Sequence, residues 1–338
     1  MTQERTALPP RRPTMTDVAN AAGVSKGAVS KVIRDAYGVS PAMRARVEKA
    51  IAQLGYRPRV AARVMRGQSF TIGLETPHLG QELQTLVVEG AAEQLAGSPY
   101  QLVIVPGLGR LSATEILESL VDRQVDGIIA IASDMPTEAI ETLAQHTPMV
   151  VLGRHSRPQA FDTVVSDDAA GADLVMDHLL GLGHTRITHL TIDPPTAEAP
   201  HVFRRDRYVE RMRAAGLRPV VEYAPSTERG AVAATSRLLG SDDPPTAIFA
   251  GHDAMALNVL RAAADLGLGA SDLSVVGYDN IELAGHPLVS LTTVDHRGTD
   301  VGRVAISLLL ERINGRTEAR HECFSPALRV RRSTAAPR

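Results

Sequence analysis

Basic and hydroxyl side chains recur near the start of the chain in a pattern suited to binding a polyanion. Lys26 and Lys31 lie in a short segment that also contains Ser25 and Ser30. A lysine can reach the two acceptor atoms that guanine presents in the major groove, so Lys31, with Lys26 beside it, is the best candidate for a base contact. Serine hydroxyls suit phosphate oxygens, which position a protein on a duplex without reading its sequence. This segment is therefore predicted to bind DNA.

The charge of the chain is divided unevenly between two parts. Residues 1–68, the basic head, hold 13 lysines and arginines against four acidic residues, a net charge of +9. The remaining 270 residues, the acidic body, hold 23 against 34, a net charge of −11. Phosphate contacts supply the sequence-independent part of nucleic-acid affinity, so we expect only the head to meet a polyanion. A solvated basic face that binds nothing is the simpler alternative.

The helices that must position these side chains are marked by capping residues. Thr14 is placed to cap a first helix, with Asp17 at capping-box spacing and Gly23 at its end. Ser25 then caps a second helix after a three-residue turn. Two short helices joined in this way are typical of a helix-turn-helix, whose second helix enters the major groove.

A third helix is predicted between Ser40, its cap, and Gly55, just beyond its end. A three-helix bundle without a ligand would explain these patterns equally well. Gly27 argues against that alternative, because glycine costs about 1 kcal/mol relative to alanine inside a helix. Close approach to DNA would account for its presence.

Residues 59–67, RVAARVMRG, have the composition of an amphipathic helix of two turns. An isolated helix of this length is only marginally stable in water. We therefore expect contacts from outside the segment to stabilise it. A linker helix packed against its own body is the alternative.

The acidic body alternates strand-like runs with helical patterns, as in parallel sheets covered by helices on both faces. Ten strands exceed one comfortable open sheet, so two lobes with a ligand cleft between them are predicted. The strand candidates are 70–75, 100–106, 126–132, 149–153, 162–167, 186–192, 220–224, 247–251, 273–279 and 290–295. The helix candidates are 82–96, 113–122, 136–145, 169–182, 204–215, 229–239, 254–266 and 298–313.

Two other functions fit the motifs less well. An enzyme is the first: PGLGRLS (106–112) resembles a dinucleotide loop, but Ser112 replaces its third glycine, and neither HExxH nor GxSxG occurs. With Cys323 as the single cysteine, no metal site is predicted, and no cofactor. A solute receptor is the second. The N-terminus lacks the apolar segment of a signal peptide and no run approaches 18 apolar residues, so we expect a cytoplasmic protein.

Residues 14–67 resemble the DNA-binding region of the lactose-repressor (LacI/GalR) family. The matching motifs are T-x-x-DVA-x-x-AGVS (14–25), AVSKVI (28–33), VS (39–40), R-x-x-V-x-x-A-x-x-x-LGY-x-P (44–58) and AAR (61–63). The resemblance implies that residues 59–68 form a hinge helix beside its counterpart in a second copy, against the minor groove, where an apolar tip unstacks the central base pairs. Met65 holds that position.

Taken together, the side-chain chemistry and the resemblance predict a set of DNA contacts that runs from the first helix to the hinge. The set is Thr14, Thr16, Ser25, Lys26, Gly27, Ser30, Lys31, Arg34, Ser40, Arg44, Tyr56, Arg59, Ala62, Arg63 and Met65.

The body resembles the sensor domain of the same family, which is similar to periplasmic sugar-binding proteins. The matching motifs are VDGIIA (125–130), SDDAAGADLVMDHLLGLGHTRI (166–187), AIFAGHDAMALNVLRAAADLGL (247–268), LSVVGYDN (273–280), LTTVDH (291–296) and LRVRRST (328–334). The implied fold is a small all-α helix-turn-helix head plus an α/β body, whose two lobes are doubly wound parallel sheets of the periplasmic-binding-protein type.

The resemblance also predicts domain boundaries. They comprise a disordered arm (1–13), the helix-turn-helix domain (14–58), the hinge helix (59–68), an effector-binding and dimerisation domain (69–330) and a tail (333–338). Within the effector-binding domain, the N-terminal lobe covers about 69–165 plus 297–325, and the C-terminal lobe about 166–296 plus 326–332.

Candidate effector contacts follow the predicted strands, at the edge where parallel strands end. Arg204 and Asp279 form a charged donor and acceptor that suit a polyhydroxylated molecule. Asp253 is more readily explained as the cap of its own helix than as a ligand contact. Arg154 is equally well explained as a partner in a structural salt bridge. The full set is His78, Gly153, Arg154, Arg204, His252, Asp253, Asp279 and His296. With 3% aromatic residues, stacking on a sugar ring is weakly supported.

We therefore expect a sequence-specific transcriptional regulator, a repressor controlled by a small polar effector of the sugar type. Each head of a homodimer would read half of a pseudo-palindromic operator in double-stranded DNA. Closure of the cleft would change the stability of the hinge helices, and either induction or corepression is compatible with the sequence. The absence of leucine heptads near residue 338 favours a dimer over a tetramer.

Overall fold

The computed structural model describes residues 13–33, 36–56, 68–77, 82–131, 134–193, 197–225 and 227–338. The chain divides into two compact units, Met1–Ser69 and Phe70–Arg338. Within the described ranges, no helix has both the length and the apolar character needed to cross a membrane.

The first unit contains three helices, as predicted. They are α1 (Met15–Ala22), α2 (Lys26–Ile33) and α3 (Pro41–Leu54). Thr14 and Asp17 form the capping box of α1, and Gly23, with φ of 62°, ends it. Ser25 Oγ accepts a hydrogen bond from Ala28 N at the start of α2. The helix-turn-helix prediction is confirmed, because each helix boundary follows from a cap that the sequence supplies.

A small apolar core holds these three helices together. Val18 and Val29 are fully buried where α1 meets α2, and Val47 of α3 is fully buried against both. Tyr56 closes the same core and is 7% exposed. Each helix is short, so this shared core, rather than helix propensity, stabilises the unit.

The second unit is built on two six-stranded sheets. In the first sheet, all pairs are parallel, and the strands are arranged in the order β11-β5-β4-β3-β1-β2. These strands are β1 (Thr71–Thr76), β2 (Gln101–Pro106), β3 (Gly127–Ile131), β4 (Met149–Leu152), β5 (Asp162–Ser166) and β11 (His321–Phe324). The first sheet is covered by α4 (Glu82–Leu95), α5 (Ala113–Asp122), α6 (Thr137–Ala144) and α11 (Gly298–Ile313). We call this layered structure the first lobe.

The second sheet has the order β12-β10-β9-β8-β6-β7, in which β12 alone is antiparallel to its neighbour. Its strands are β6 (Ile187–Thr191), β7 (Val220–Tyr223), β8 (Ala247–Ala250), β9 (Ser274–Tyr278), β10 (Thr292–Asp295) and β12 (Ala327–Arg329). It is covered by α7 (Asp168–Gly181), α8 (Pro200–Ala214), α9 (Glu228–Leu239) and α10 (Asp253–Asp265), and a 3-10 turn lies at Glu282–Gly285. This structure is the second lobe.

The α/β fold with two parallel-sheet lobes is confirmed, and all ten predicted strands are present. Strands β11 and β12 were not predicted, because their sequences, HECF and ALR, are short and carry no apolar run. The chain passes from one lobe to the other after β5, after β10 and after β11, so three neighbouring connections join the lobes.

Residues 333–338, which the sequence analysis assigns to a tail, make specific contacts with the second sheet. Ser333 is 5% exposed, and its hydroxyl donates to Val275 O at 2.6 Å and accepts from Thr292 N at 2.8 Å. Ala335 N donates to Ser274 Oγ at 3.0 Å. The segment therefore stabilises β9 and β10, a role that its polar sequence did not predict.

Two glycines allow α4 and α11 to pack backbone against backbone. A methyl group at Gly90 would lie 1.9 Å from Thr299 O, and one at Gly302 would lie 2.1 Å from Val87 O. No side chain can occupy that space, so the helices of the first lobe approach as closely as their main chains allow.

Replacement of Gly302 by alanine should force α4 and α11 apart. We expect Gly302→Ala to lower the free energy of unfolding by roughly 1–3 kcal/mol, measured by urea denaturation. Gly181→Ala is the control, because its methyl group would meet nothing within 4 Å. The control should change stability by no more than about 0.5 kcal/mol. Equal effects of the two substitutions would show that the close helix contact does not matter.

Candidate DNA-binding and effector-binding sites

The second helix of the head presents its basic residues to solvent. Lys26, Gly27 and Lys31 are exposed on α2, whereas Val29 and Val32 of the same helix are buried. A methyl group at Gly27 would meet only Ser25 Oγ, at 3.7 Å. Packing within the head therefore does not require glycine at this position.

The other predicted DNA contacts divide into three groups. Thr16, Ser25 and Ser40 are exposed, and both serines also cap helices, because Ser40 Oγ accepts from Met43 N at 3.3 Å. Thr14, Ser30 and Arg44 are half-buried. Tyr56 differs, since its side chain packs in the core of the head. Arg34, Arg59, Ala62, Arg63 and Met65 lie outside the described residues.

A buried ion pair lies at the carboxyl ends of the strands of the second sheet. Arg204, in the second turn of α8, donates from Nε to Asp168 Oδ1 at 2.7 Å and from Nη1 to Gly251 O at 2.5 Å. Its guanidinium carbon lies 3.7 Å from the centre of the Tyr278 ring. Three elements, α7, α8 and β9, and the residue after β8 therefore hold one cation in a single position.

The second oxygen of the Asp168 carboxylate contacts the first lobe. His155 Nε2 lies 2.8 Å from Asp168 Oδ2, and the His155 ring packs on Phe203 with centroids 4.0 Å apart. Burial raises the pKa of Asp168, but the charges and hydrogen bonds of Arg204 and His155 outweigh it, so that the pKa lies below its usual value. Asp168 is therefore a carboxylate at neutral pH.

The sequence analysis did not include Asp168 or His155 in the effector set. The available signal was the pair Asp167 and Asp168 at the end of β5. Asp167 caps α7 by accepting from Ala170 N at 2.9 Å, so a second aspartate was not needed for capping. A second acidic residue beside a cap is an indication of another role.

Three predicted residues, His252, Asp279 and His296, follow the ends of β8, β9 and β10 near Arg204. Asp279 follows β9 with φ of 122°, and its Oδ1 lies 3.5 Å from His296 Nε2. Burial, together with the charge of Asp253, raises the pKa of Asp279 well above its usual range. The pKa values of His252 and His296 are lowered to about 4, mainly by burial and secondly by the positive charge of Arg204. Both imidazoles are therefore neutral at pH 7, with one N–H donor and one acceptor nitrogen each.

The favoured alternative for Asp253, that it caps α10, is wrong. His252 occupies the cap position, and its Nδ1 accepts from Met255 N at 3.2 Å. Asp253 is fully buried and accepts from Thr293 Oγ1 at 2.5 Å and from Ile281 N at 3.0 Å. The imidazole satisfies the helix end, so the carboxyl group is free to join β10 to the 3-10 turn.

In the first lobe, the loop after β4 contributes Gly153 and Arg154. Gly153 adopts a left-handed conformation with φ of 69°. Arg154, 4% exposed, donates from Nη1 to Met135 O at 2.6 Å, and its Nη2 lies 2.5 Å from Glu198 Oε2. The salt bridge that was the alternative role for Arg154 is therefore present. His78 lies outside the described residues.

Glu198, just before α8, joins the second lobe to the first at three points. Besides its pairing with Arg154, its carboxylate accepts from Thr137 Oγ1 at 3.2 Å, and its carbonyl oxygen accepts from His155 N at 3.3 Å. Sequence reasoning missed Glu198, because it lies between predicted elements rather than at a strand end.

A buried carboxyl group also stands at the end of β1. Glu75 is 1% exposed, and its Oε2 accepts from Ile131 N at 3.2 Å. Burial raises its pKa to about 8, and the nearby charge of Asp134 adds to this shift. Glu75 is therefore mainly protonated at neutral pH and can donate a hydrogen bond.

The segment 106–112 does not form a phosphate-binding loop. Ser112 caps α5, and Glu115 Oε2 accepts from Ser112 N at 2.8 Å, so a carboxylate already occupies that helix end. In the described part of the chain, no group of histidine, cysteine or acidic residues is arranged to hold a metal ion.

Comparison with known proteins gives matches to both units. Residues 14–59 match the family described as "Bacterial regulatory proteins, lacI family", and residues 176–334 match "Periplasmic binding protein-like domain". The ribose operon repressor of Escherichia coli is 32% identical over 308 residues, covering 89% of this chain and 93% of that protein. The transcriptional repressor PurR of Edwardsiella ictaluri is 31% identical over 338 residues, covering 95% and 97%.

Solved structures agree with these relatives. The lac repressor dimer bound to operator and the anti-inducer ONPF has a TM-score of 0.81 at 25% identity, covering 96% of this chain and all of that chain. A LacI family regulator from Enterococcus faecium with bound ribose has a TM-score of 0.71 at 26% identity, covering 79% of this chain and all of that chain.

Removal of the Asp168 charge should leave Arg204 buried without a counter-ion. We expect Asp168→Asn to lower the free energy of unfolding by about 3–5 kcal/mol in urea denaturation. Asp173→Asn, which breaks the more exposed contacts of Asp173 with Arg207 and Arg211, should cost about 0–1 kcal/mol. If the control were as destabilised as Asp168→Asn, the buried pair would have no special importance.

Ionisation of Glu75 should weaken the fold as the pH rises. The folded chain holds the Glu75 proton up to about pH 8, whereas the unfolded chain releases it near its ordinary value of 4.5. The folded state therefore binds more protons, and stability falls by about 1.4 kcal/mol per pH unit between about pH 5 and 7. Urea denaturation at several pH values should show this slope for the parent chain. Glu75→Gln should lack it, and an unchanged slope in that variant would disprove the assignment.

Proposed function

The chain belongs to the LacI family of bacterial regulatory proteins, and from this premise we propose that it is a homodimeric repressor controlled by a sugar bound between its two lobes. As a member of this family it is a DNA-binding transcriptional regulator. We place its action in the cytoplasm, and we propose no catalytic activity, in keeping with relatives that are repressors.

One observation carries the DNA-binding proposal. Lys26, Gly27 and Lys31 are the exposed residues of α2, the second helix of the helix-turn-helix. In such folds this helix lies in the major groove, where lysine can contact guanine. We propose that Ser25, Ser40 and their neighbours contact phosphates, and that residues 59–68 form the hinge helix.

The chemistry of the cleft supports a hydroxyl-rich effector. The neutral imidazole of His296 and the carboxyl group of Asp279 can exchange hydrogen bonds with hydroxyl groups. His252 can donate from Nε2, because its Nδ1 already accepts from Met255 N. Asp253, by contrast, is occupied by Thr293 and Ile281 and is better placed to support the site than to contact the ligand. The similar LacI family regulator with bound ribose makes a sugar the best-supported class.

Exposed apolar side chains support a second copy as partner. Strand β2 pairs with β1 on one side and forms the edge of the first sheet in the described residues. This strand and the loop after it expose four apolar residues to between 37% and 57% of their surface: Val103, Ile104, Leu108 and Leu111. Edge strands of this kind are normally covered. We propose that a second copy covers this edge, because the similar lac repressor structure is a dimer.

Control by the effector would operate through closure of the cleft. A ligand shifts an equilibrium only through its different affinities for the two states. We propose that the effector changes the spacing of the two first lobes in the dimer, and thereby the stability of the hinge helices on DNA. Induction and corepression both fit this scheme, depending on which state the sugar prefers.

Selection of duplexes from a randomised pseudo-palindromic library, followed by fluorescence anisotropy, tests the proposal. We expect a specific operator to be recovered and its affinity to change with at least one member of a sugar panel that includes ribose and cellobiose. Gly27→Ala should stabilise α2 by up to about 1 kcal/mol yet weaken operator binding at least about tenfold, because the methyl group faces the duplex.

Gly181→Ala provides the matched control, since it places the same methyl group on a body helix with nothing within 4 Å. Its operator affinity should equal that of the parent chain. Recovery of no preferred duplex would contradict DNA recognition, and an operator affinity that no sugar alters would contradict the proposed effector class.

A further inference from the structure

We propose that Glu198 and Asp168 restrict the cleft to ligands without negative charge, because each neutralises one of the two buried arginines there. This inference rests on the effector site proposed above and adds the charge of the ligand to it. It assigns to Glu198 a role in specificity, separate from its role in joining the lobes.

The two arginines are the buried cations in the described part of the cleft. Arg154 and Arg204 are 4% and 5% exposed. Arg204 is paired with Asp168 at 2.7 Å, and Arg154 with Glu198 at 2.5 Å. The remaining guanidinium bonds described above go to the carbonyl oxygens of Gly251 and Met135. Neither cation is left to balance the charge of a bound anion.

The other ionisable groups near these arginines supply no positive charge either. Asp279 and Glu75 are carboxyl groups, and burial raises the pKa of each. The imidazoles of His252 and His296 are neutral, so they add no positive charge. A phosphate or carboxylate ligand would have to displace Glu198 or Asp168, or be desolvated without a counter-ion, and both are unfavourable.

The two neutralising carboxylates differ in their exposure. The Asp168 side chain is 3% exposed and is held from both sides by Arg204 and His155, whereas the Glu198 side chain is 37% exposed. Removal of Asp168 would disturb the core of the site. Removal of Glu198 should leave the fold intact and take away the oxygen, Glu198 Oε2, that Arg154 Nη2 and Thr137 Oγ1 both contact. A phosphate oxygen can replace it, because a charged guanidinium and a hydroxyl both donate to phosphate.

The test uses inorganic phosphate as the probe, with the full chain. Thermal unfolding is followed as sodium phosphate is added, against sodium chloride at the same ionic strength and pH. Phosphate should not raise the Tm of the parent chain above the chloride reference. In Glu198→Ala it should raise the Tm by about 2–4 °C. The isosteric Glu198→Gln should also show a phosphate-dependent rise in Tm, but a smaller one.

Two further variants identify the origin of the gain. Addition of Arg154→Gln to Glu198→Ala should abolish the phosphate effect, because the freed cation is gone. Glu222→Ala, which breaks the pair between Glu222 and Arg237 outside the cleft, should behave like the parent chain. A phosphate-dependent rise in the parent chain, or none in either Glu198 variant, would overturn the proposal.

These outcomes are separate from those that test the effector class. The phosphate experiment contains no sugar, so its failure leaves a sugar effector unaffected. A sugar panel that changes neither Tm nor operator affinity would contradict the proposed effector class, while the phosphate result would still report on the charge preference of the cleft.

Discussion

The ion pair between Arg204 and Asp168 is the interaction on which the rest of the proposed effector site depends. It lies in the interior of the second lobe, where an unpaired charge would be strongly unfavourable, so each partner fixes the other. The guanidinium group also reaches the end of β8 and the Tyr278 ring, and the carboxylate reaches His155 of the first lobe. One pair thus holds together two helices, two strand ends and both sides of the cleft.

A second, less buried contact complements it. Glu198 contacts Arg154, Thr137 and the main chain of His155, and so connects the second lobe to the first. Its side chain is partly exposed to water. Such a contact is weaker than a fully buried pair and can open when the lobes move. The combination of one rigid pair and one more exposed pair is compatible with a cleft that is preorganised but able to open and close.

Features that depend on a few neighbouring residues could be predicted from this sequence, whereas features that depend on distant residues could not. The caps at Thr14, Ser40 and Gly55 act within a few residues, so the three helices of the head were predictable, as were the ten strands with apolar runs. The polar strands β11 and β12 were not, because neither carries an apolar run and each is defined only by its pairing with a strand elsewhere in the chain, β5 for β11 and β10 for β12. The cap of α10 was assigned to Asp253 rather than His252, because only the packing around Thr293 shows where that carboxyl group points.

The sequence by itself determined the class of protein: a basic helix-turn-helix followed by an α/β body with residues of the cleft at strand ends. Those features depend on capping, periodicity and charge, which are read over a few residues at a time. The tertiary structure alone decided which charges meet. Asp168 and Arg204 are 36 residues apart, and Arg154 and Glu198 are 44 apart. Their pairing depends on how the lobes pack, and the electrostatic balance of the cleft therefore could not be obtained from the order of residues.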